Sequence, residues 1–549
     1  MKTCFVPVVI FMFFSCHKSS DSPLLPSPLN FSSLKINDSN RNGSVFYNIN
    51  LNPVIKLSFS APVDRSSVQA NVLFYQVSGS AIPLTINYNN KDSTIILQPS
   101  TSLSPLTKYS FTVATGLRSQ QNATLSSQLN FTFVTSIDST DKFSQVSDSA
   151  LVQLVQQQTF KYFWDFGHSV SGLARERNTS GETVTSGGSG FGVMAIIAGI
   201  NRNFITRQQG LTRLQTIVSF LKNTAQKFKG AFPHWLNGSN GTVIPFSAND
   251  NGADLVETSY LIMGLLTARQ YFNSNDPAET NLRNDINAIW NEIDWDWFRQ
   301  GKKVLYWHWS PDKGFIMNVP IQGWNETLIT YVLAASSPTH GISKAVYDSG
   351  FARNGAMANN KSFYGYQLPL GPDYGGPLFF SHYSFMGINP KTLTDQYANY
   401  QTQTTNHTKI NYEYCKANPK NWYGYSDQCW GLTASDIPNG YTASSPTNDV
   451  GVIAPTAALS SFPYTPTESM KALKFFYYKL GDKLWSDYGF YDSFRLQDAW
   501  FSNSYLAIDE GPIIVMIENY RTGLLWNLFM SCPEVKTGMQ NLGFQSPYL

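Results

Sequence analysis

The spacing of hydrophobic residues changes once along this chain, and that change constrains the fold more than any other feature of the sequence. Before about residue 137, apolar and polar residues alternate, as they do at 55–59 and 129–133. After about residue 150, apolar residues recur at positions i, i+3 and i+4, the spacing of an amphipathic helix. These two periods predict a small β domain followed by a larger α domain.

The β domain is expected to cover residues 25–137. Its short alternating runs lie at 55–59, 73–75, 94–97, 109–113 and 129–133, separated by clusters of Asn, Ser, Pro and Gly. Such runs predict an antiparallel sandwich. The segments at 59–63, 103–109 and 131–133 resemble a bacterial immunoglobulin-like domain of the surface-layer type. For this domain we expect a spacer role, and glycan binding is the alternative.

A linker at 138–149 leads into the α domain, residues 150–549. Helical spacing recurs there at 150–166, 191–204, 208–229, 254–272, 278–300, 325–336, 391–412, 467–481 and 504–529. Long loops rich in Gly, Pro and aromatic residues join these stretches, and strand patterns are nearly absent. The pattern predicts an all-α toroid or a helical array. A solenoid is disfavoured because no sequence repeat recurs at a fixed period.

Residues 1–16 are typical of an export signal, with a lysine, an apolar run at 5–14, and a small residue before Cys16. The run is too short to cross a bilayer, which takes about 20 residues. The segment resembles a bacterial lipoprotein signal, although Phe13 replaces the more usual Leu. That resemblance implies lipidation of Cys16 and a polar tether at 17–24. We therefore expect a bacterial cell-envelope protein, lipid-anchored to the outer membrane on its periplasmic or surface face; ordinary secretory cleavage is the alternative.

Aromatic residues are as frequent as charged ones in this chain, at 14% each, and the formal net charge is only +2. Soluble domains usually contain about 25% charged residues. A disordered chain would need low hydrophobicity with high net charge, and a nucleic-acid-binding protein would need a dense basic surface. The composition therefore excludes a disordered chain, disfavours nucleic-acid partners and favours a neutral polar ligand.

The cysteine and histidine residues form no recognised metal-binding motif. No C-x-x-C or H-E-x-x-H sequence occurs, so we expect neither a metal site nor a cofactor. Cys415 and Cys429 could pair in an oxidising compartment, which would leave Cys532 as a thiol. The sequence decides neither that pairing nor the oligomeric state, for which a monomer is the expectation.

Three segments combine carboxylates with aromatic residues, and the first lies at 249–260. Asp254 and Glu257 open an apolar helix there, and residues i and i+3 lie on one helical face, so their side chains point the same way. The structural alternative is a capping box, in which both carboxylates accept hydrogen bonds from backbone N–H groups at the helix start. Asp250 could act at the same site or order its loop as an Asx turn.

The second and third segments place Glu326 and Asp509 beside further predicted helices. Glu326 follows Trp324 in a tryptophan-rich loop, where poor solvation would raise the pKa of its carboxyl and suit it to donate a proton. A helix cap at Asn325, with Glu326 as a partner of the helix dipole, is the alternative. Asp509 precedes Pro512 at the start of its helix, which it could simply cap.

Aromatic and histidine side chains in the polar loops of the α domain favour a glycan cleft. Flat rings stack on the C–H faces of sugars, while polar groups bind the hydroxyls. The candidates are His234, Trp235, Trp307, Trp309, Trp324, His382, Tyr383 and Trp430. The glycine-rich segment at 186–192 contains neither a G-x-S-x-G elbow nor a dinucleotide-binding motif. Carboxylates among rings, without a cofactor motif, indicate glycoside hydrolysis by acid/base catalysis.

From about residue 146 to residue 528, the chain resembles glycoside hydrolase family 144, the bacterial β-1,2-glucanases with a glucoamylase-like domain. The matching segments are 162–165, 172–177, 254–258, 324–326, 376–383, 430–436, 455–458, 508–512 and 518–521. The resemblance implies an (α/α)6 toroid that hydrolyses β-1,2-glucan or its oligosaccharides with inversion, by endo action or by exo release of sophorose. It implies catalytic residues at Asp254, Glu257 and Glu326, and further acidic positions in the cleft at Asp250 and Asp509.

An inverting mechanism needs an acid and a base about 6.5–9.5 Å apart, with room between them for a water molecule. Asp254 and Glu257 are too close in sequence to form that pair with each other. We therefore predict Glu326 as the acid, and Asp254, Glu257 or Asp509 as the base. Two other functions use parts of the same pattern: a transglycosylase or phosphorylase on the same carboxylates, and a non-catalytic surface lipoprotein that binds glycans.

Overall fold

The computed structural model describes residues 1, 3, 27–77 and 79–549. The expected export signal, its lipidation site Cys16 and the tether at 17–24 lie outside the described residues, apart from residues 1 and 3. The chain divides into two compact units, Met1–Ser136 and Ile137–Leu549. Within the described residues, no helix is both long enough and apolar enough to cross a membrane.

The first unit is a β sandwich. Its elements are β1 (Phe31–Ile36), β2 (Ser39–Arg41), β3 (Val45–Ile49), β4 (Ile55–Phe59), α1 (Arg65–Asn71), β5 (Val72–Gln76), β6 (Leu84–Asn89), β7 (Thr94–Pro99), β8 (Lys108–Val113) and β9 (Leu129–Thr135). One sheet has the order β2-β1-β4-β7-β6, and the other has the order β3-β9-β8-β5. Side chains on alternate positions, such as Ile55, Leu57 and Phe111, are fully buried in one apolar core. The predicted sandwich is therefore confirmed.

The sandwich departs from the predicted antiparallel arrangement at one pair of strands. β3 and β9 pair in parallel, with Val45 opposite Thr132 and Phe46 opposite Phe133. The predicted runs correspond to β4, β5, β7, β8 and β9 and do not include β1, β2, β3 or β6. All three residues of β2 are exposed and carry no apolar alternation.

The second unit is predominantly helical. Its helices are α2 (Asp148–Trp164), α3 (Ser186–Asn201), α4 (Arg207–Asn223), α5 (Leu255–Tyr271), α6 (Pro277–Glu292), α7 (Leu328–Ser336), α8 (Lys344–Val346), α9 (Tyr400–Ala417), α10 (Pro455–Leu459), α11 (Pro466–Lys474), α12 (Leu480–Leu484), α13 (Ala507–Arg521), α14 (Leu524–Met530) and α15 (Pro533–Leu542). Single 3-10 or π turns extend or join several of them.

These helices form two layers. The inner helices α3, α5, α7, α10 and α13 are buried on nearly all sides, and α3 packs against both α5 and α13. Outer helices such as α4, α6 and α15 bury only one face, the pattern of a surface helix. The toroid implied by the family resemblance is confirmed.

Glycine residues allow α3 and α5 to cross at close range. A Cβ atom on Gly190 would overlap the carbonyl of Tyr260, and one on Gly264 would overlap the carbonyl of Gly190. The sequence places the start of this helix at residue 191, but α3 begins at Ser186. The glycine-rich segment at 186–192 is therefore the first part of an inner helix, where its small residues serve packing.

The loops of the helical unit contain short strands that the sequence did not reveal. They are β10 (Thr183–Thr185), β11 (Trp235–Asn237), β12 (Val243–Ile244), β13 (Ala253–Asp254), β14 (Leu305–Tyr306), β15 (His308–Trp309), β16 (Pro320–Ile321), β17 (Ala358–Phe363), β18 (Tyr366–Leu370), β19 (Ala434–Ile437), β20 (Gly440–Ala443), β21 (Trp485–Ser486), β22 (Gly489–Phe490), β23 (Phe494–Arg495) and β24 (Trp500–Phe501). Most are too short to show a hydrophobic period, and they fix the loops around the inner helices.

Candidate active site

A cavity of about 500 Å³ opens where several inner helices begin. Glu257 lies in the first turn of α5, Thr185 precedes α3, and Ile508 lies in the first turn of α13; all three residues line the cavity. Glu326 lines it from the loop just ahead of α7. Helix N-termini carry a partial positive charge and unpaired N–H groups, so this end of the ring favours carboxylates.

Asp254 is both a helix cap and a member of the site. Its Oδ1 atom accepts hydrogen bonds from the N–H groups of Val256 and Glu257, each at 3.0 Å. Its Oδ2 atom pairs with Nδ1 of His234 at 3.0 Å. Burial opposes ionisation, but the hydrogen bond to His234 and the nearby histidine charges outweigh it and lower the pKa of the Asp254 carboxyl. Asp254 is therefore an ionised residue with both oxygens engaged.

Glu257 does not complete a capping box. Its Oε2 atom accepts a hydrogen bond from the backbone N–H of Gly187 at 2.8 Å and a longer one from the Thr185 hydroxyl at 3.4 Å. Both donors lie at the start of α3, so the carboxyl bridges two inner helices. Burial raises the pKa of Glu257, and the charge of His234 partly offsets that rise. The capping interpretation thus holds for Asp254 alone.

His234 carries the positive charge of this group. Burial acts against its protonated form, but the carboxylates of Glu257 and Asp254 outweigh burial and raise the pKa of His234 to about 9. His308 lies on the other side, with Nε2 at 3.6 Å from Oδ2 of Asp250 and 3.7 Å from Oδ2 of Asp254. Burial, together with the charge of Asp254, raises the pKa of Asp250 to about 7.

Three of these side chains could also hold a cation. In the part of the chain that the structure describes, His234, Asp250 and Asp254 each place one ligand atom within 4.8 Å of the others. A cation and a proton would compete for Nδ1 of His234, because a metal ligand is the neutral imidazole and the neighbouring carboxylates raise the pKa of His234 to about 9. When His234 is protonated, its charged hydrogen bond to Asp254 holds these two side chains together.

Glu326 is held by its backbone and presents its side chain to the cavity. The Ser384 hydroxyl donates to the carbonyl oxygen of Glu326 and accepts from the N–H of Ile329 in the first turn of α7. Asn325 does not cap that helix; its side chain accepts from the N–H of Thr327, the residue in the N-cap position. Burial is the main cause that raises the pKa of Glu326 to about 7.

A second acidic group lies beside α13. Asp509 is almost fully buried, does not cap the helix, and lies close to the carboxyl of Asp492, which accepts a hydrogen bond from the N–H of Asp436 at 2.7 Å. Burial and the neighbouring carboxyls raise the pKa of Asp492 to about 7 and that of Asp509 well above its ordinary value. Burial therefore favours the protonated forms of these two carboxyls.

The structure divides the predicted ring and histidine candidates into two groups. His234, Trp235, Trp307 and Tyr383 line the cavity. The other four do not line this cavity. They are Trp309, which packs on Trp297; Trp324, buried against Phe385 and Tyr400; His382, bonded to Ser461; and Trp430, which donates to the carbonyl of Glu468. Each has its own packing or hydrogen-bond partner inside the protein.

Several cavity residues were absent from the sequence-based candidates. Glu176 and Arg177 form an ion pair on the wall, and Arg177 also reaches Asp436 at 3.2 Å. Phe246 and Tyr441 line the cavity with more than 45% of their surface exposed. The run Ala-Arg-Glu-Arg at 174–177 is a charge cluster in a chain poor in charge, which could have indicated the pair; no local pattern marks the two rings.

The three cysteines outside the N-terminal segment are buried free thiols. Cys415 and Cys429 are not joined, and burial raises the pKa of both thiols. Cys532 is likewise buried and lies near the carbonyl of Leu266. The pairing that the sequence left open is absent from this structure, and none of these thiols lines the cavity.

Comparisons with known proteins match both units. Residues 318–533 match a family model described as "Putative glucoamylase", and residues 39–135 match a bacterial Ig-like domain. The chain is 47% identical over 421 residues to an exo β-1,2-glucooligosaccharide sophorohydrolase (non-reducing end) of Parabacteroides distasonis. That match covers 72% of this chain, and the chain spans 58% of the length of that relative.

Solved structures show the same similarity. An endo-β-1,2-glucanase from Chitinophaga pinensis, in complex with sophorotriose and glucose, is 51% identical, with a TM-score of 0.72, over 74% of this chain and 100% of that one. A β-1,2-glucanase from Parabacteroides distasonis is 37% identical, with a TM-score of 0.71, over 94% of this chain and 73% of that one.

A two-layered ring of helices that opens on a cavity of carboxyls and aromatic rings is the architecture of the (α/α) toroid class of glycoside hydrolases. The similarities in sequence and structure reported above identify the family within that class. The chain belongs to the β-1,2-glucanase family, glycoside hydrolase family 144.

Proposed function

We propose that this protein hydrolyses β-1,2-glucosidic linkages in β-1,2-glucan or its oligosaccharides by an inverting acid/base mechanism. The relatives named above, an exo-acting sophorohydrolase, an endo-acting glucanase and a further β-1,2-glucanase, support the substrate class. The observation that carries the mechanism is the presence of Glu326 and Glu257 on the wall of one cavity, in different electrostatic surroundings. An inverting glycosidase needs one carboxyl that donates a proton and another that accepts one.

Glu326 is the proposed general acid. A pKa of about 7 keeps a large share of its carboxyl protonated near neutral pH, so it can donate a proton to the leaving oxygen. Burial is the main cause, and the negative charges of Glu257 and Asp254 also raise the pKa of Glu326. Ser384 fixes the backbone at this position, which holds the carboxyl on the cavity wall.

Glu257 is the proposed base. Hydrogen bonds from Gly187 and Thr185 hold its Oε2 atom, whereas no hydrogen bond within the described residues engages Oε1. The protonated His234 nearby favours the ionised form of the carboxyl. Asp254 is less suited because its two oxygens are occupied by the helix cap and His234, and Asp509 is less suited because it is buried away from the cavity lining.

The walls of the cavity suit an uncharged sugar. Trp235, Trp307 and Tyr383 present aromatic surface, on which the C–H faces of glucosyl residues can stack. The charge of Arg177 is balanced by its ion pairs with Glu176 and Asp436, so it provides donors for hydroxyl groups without requiring an anionic ligand.

Release of reducing ends from purified β-1,2-glucan tests the proposal. Wild-type protein should release them, and Glu326→Gln should lower the rate by about 10²–10⁴-fold with folding intact. Glu413→Gln, which changes a glutamate that pairs with Lys416 outside the cavity, is the matched control. A chromatographic product series separates the two modes of action: a ladder indicates endo cleavage, and sophorose alone indicates exo cleavage.

We also propose that the enzyme works as a lipid-anchored protein of the bacterial envelope. The apolar run at 5–14 followed by Ser15 and Cys16 supports this location. Cys16→Ala should abolish incorporation of labelled palmitate and move the protein from the membrane fraction to the soluble fraction. Unchanged labelling would exclude lipidation at Cys16.

A further inference from the structure

A second cavity of about 440 Å³ adjoins the catalytic one. We call it the Trp500 cavity, after the tryptophan in its lining. Arg177 and Tyr441 line both cavities, so the two spaces meet across these side chains. The remaining wall includes Asp436 and Asn503. Neither the catalytic carboxyls nor His234 reaches this second space.

Two hairpins form the walls of the Trp500 cavity. β19 and β20 carry Asp436 and Tyr441, while β23 and β24 carry Trp500. The Ser493 hydroxyl donates to the Asp436 carbonyl at 2.6 Å and joins the hairpins. Because hydrogen bonding connects the two hairpins, the fold itself fixes the walls of the cavity.

Trp500 presents an aromatic face that the protein itself does not use. Neighbouring residues of a strand point to opposite faces, and Phe501 stacks on Phe494 with ring centres 5.8 Å apart. Within the described residues, the half-buried indole of Trp500 has neither a ring partner nor a hydrogen bond. The exposed side-chain amide of Asn503 likewise has no hydrogen-bond partner among the described residues.

The polar groups of Asp436 and Arg177 in this cavity are held in fixed positions, where they can hydrogen-bond to hydroxyl groups of a ligand. The Asp436 carboxylate accepts from Arg177 at 3.2 Å and from the Ser504 hydroxyl at 2.5 Å, which fixes its orientation. Because the Asp436 carboxylate and the Arg177 guanidinium have opposite charges, this pair has little net charge to attract an ion. An aromatic face beside fixed carboxylate, guanidinium and amide groups is the combination that binds a neutral carbohydrate.

We propose that the Trp500 cavity binds glucosyl residues of the same β-1,2-linked chain whose scissile bond lies in the catalytic cavity. This inference rests on the proposed function and extends it: the enzyme would favour substrates long enough to pass Arg177 and Tyr441 and reach Trp500. Stacking on Trp500 would then add binding energy for long chains only.

The test compares kcat/KM for β-1,2-gluco-oligosaccharides of increasing length. Wild-type kcat/KM should rise with length until the Trp500 cavity is filled. Trp500→Ala should reduce kcat/KM for long oligosaccharides by about 3- to 10-fold more than for the shortest one that is cleaved, the size expected for one aromatic contact. Asn503→Ala, at an exposed position where folding is not at risk, should give a smaller loss with the same dependence on length.

Tyr364→Ala is the control, because Tyr364 is an exposed ring on the β17–β18 hairpin outside both cavities. It should leave the dependence on length unchanged. Equal losses at every length, or no loss at any length for both Trp500→Ala and Asn503→Ala, would overturn the inference while hydrolysis by the wild type still supports the proposed function. If wild-type protein cleaves no β-1,2-linked substrate, the proposed function fails and this inference falls with it.

Discussion

The backbone N–H of Gly187 donates a 2.8 Å hydrogen bond to the carboxyl of Glu257, and no other residue type fits at position 187 without disturbing it. A Cβ atom there would overlap Oε2 of Glu257 and lie 2.9 Å from the ring of Tyr260. The first turn of α3 thus holds the proposed base of α5, and the positive end of the α3 dipole faces the carboxylate. The position of the proposed base and the packing of α3 against α5 therefore depend on the same glycine.

Gly187→Ala should therefore lower kcat. The added methyl group pushes the Glu257 carboxyl away from its donor, and a displacement of about 1 Å can cost about 10²-fold in rate. Steady-state kinetics on a β-1,2-gluco-oligosaccharide, with a thermal melt in parallel, measures the effect. Gly341→Ala, whose methyl would meet only the Ser337 carbonyl at 3.1 Å and the Ala334 carbonyl at 3.7 Å, is the comparison variant. A Gly187→Ala enzyme with full activity would show that Glu257 does not need this contact.

Asp254→Asn should separate the capping role of this residue from its charge. Asn caps a helix about as well as Asp, so the melting temperature should change little. The amide removes the carboxylate that favours protonated His234, and the pKa of His234 should fall from about 9 by more than about 1 unit. An NMR titration of the histidine rings measures this, with the other histidines as internal references. A His234 titration that does not move would contradict the proposed charge pair.

Activity should fall as pH rises through about 7. Glu326 must be protonated to act as the acid, and burial raises its pKa to about 7, so deprotonation above that pH removes the donor. The plot of kcat/KM against pH should show this alkaline limb in wild-type enzyme and lose it in Glu326→Gln. Asp250 also titrates near pH 7. An alkaline limb that vanishes in Asp250→Asn and persists in Glu326→Gln would assign the essential proton to Asp250.

Asp492→Asn should stabilise the protein at alkaline pH. The folded-state pKa of Asp492 is raised to about 7, above its ordinary value of 3.8. Its stabilising contribution is therefore complete below about pH 4 and is lost as pH rises through 7. At pH 8 the variant should unfold with a free energy about 1–4 kcal/mol higher than wild type, and near pH 4 the difference should vanish. Denaturant titrations at both pH values measure it. A variant that is less stable at pH 8 would show that the Asp492 carboxylate is favoured in the fold.

The sequence was sufficient to predict the two domains and the catalytic candidates on α5 and before α7. Hydrophobic period distinguishes strands from helices, and the motifs around Asp254 and Glu326 lie beside helix starts, where local rules operate. The contacts between site residues that are distant in sequence could not be predicted. The Glu257 partners Gly187 and Thr185 come from another helix, and no local pattern connects positions separated by 70 residues or more.

The aromatic candidates also show what the sequence alone could not predict. The local sequence around a tryptophan in a polar loop does not show whether its ring faces a ligand or packs in the core. Trp307 lines the cavity, whereas Trp430 is fully buried and bonded to the Glu468 carbonyl. Phe246, which lies in a bend, and Tyr441, which lies in the short strand β20, line the cavity only because distant parts of the chain pack together. Tertiary packing therefore determines which aromatic rings line the cavity.

The anomeric configuration of the first product tests the account most directly. Proton NMR should follow a β-1,2-gluco-oligosaccharide during the first minutes of hydrolysis, before mutarotation equilibrates the anomers. An acid at Glu326 and a water activated by Glu257 predict that the new reducing end forms as the α anomer, the inverted configuration. Initial formation of the β anomer, or no new reducing end at all, would contradict the account.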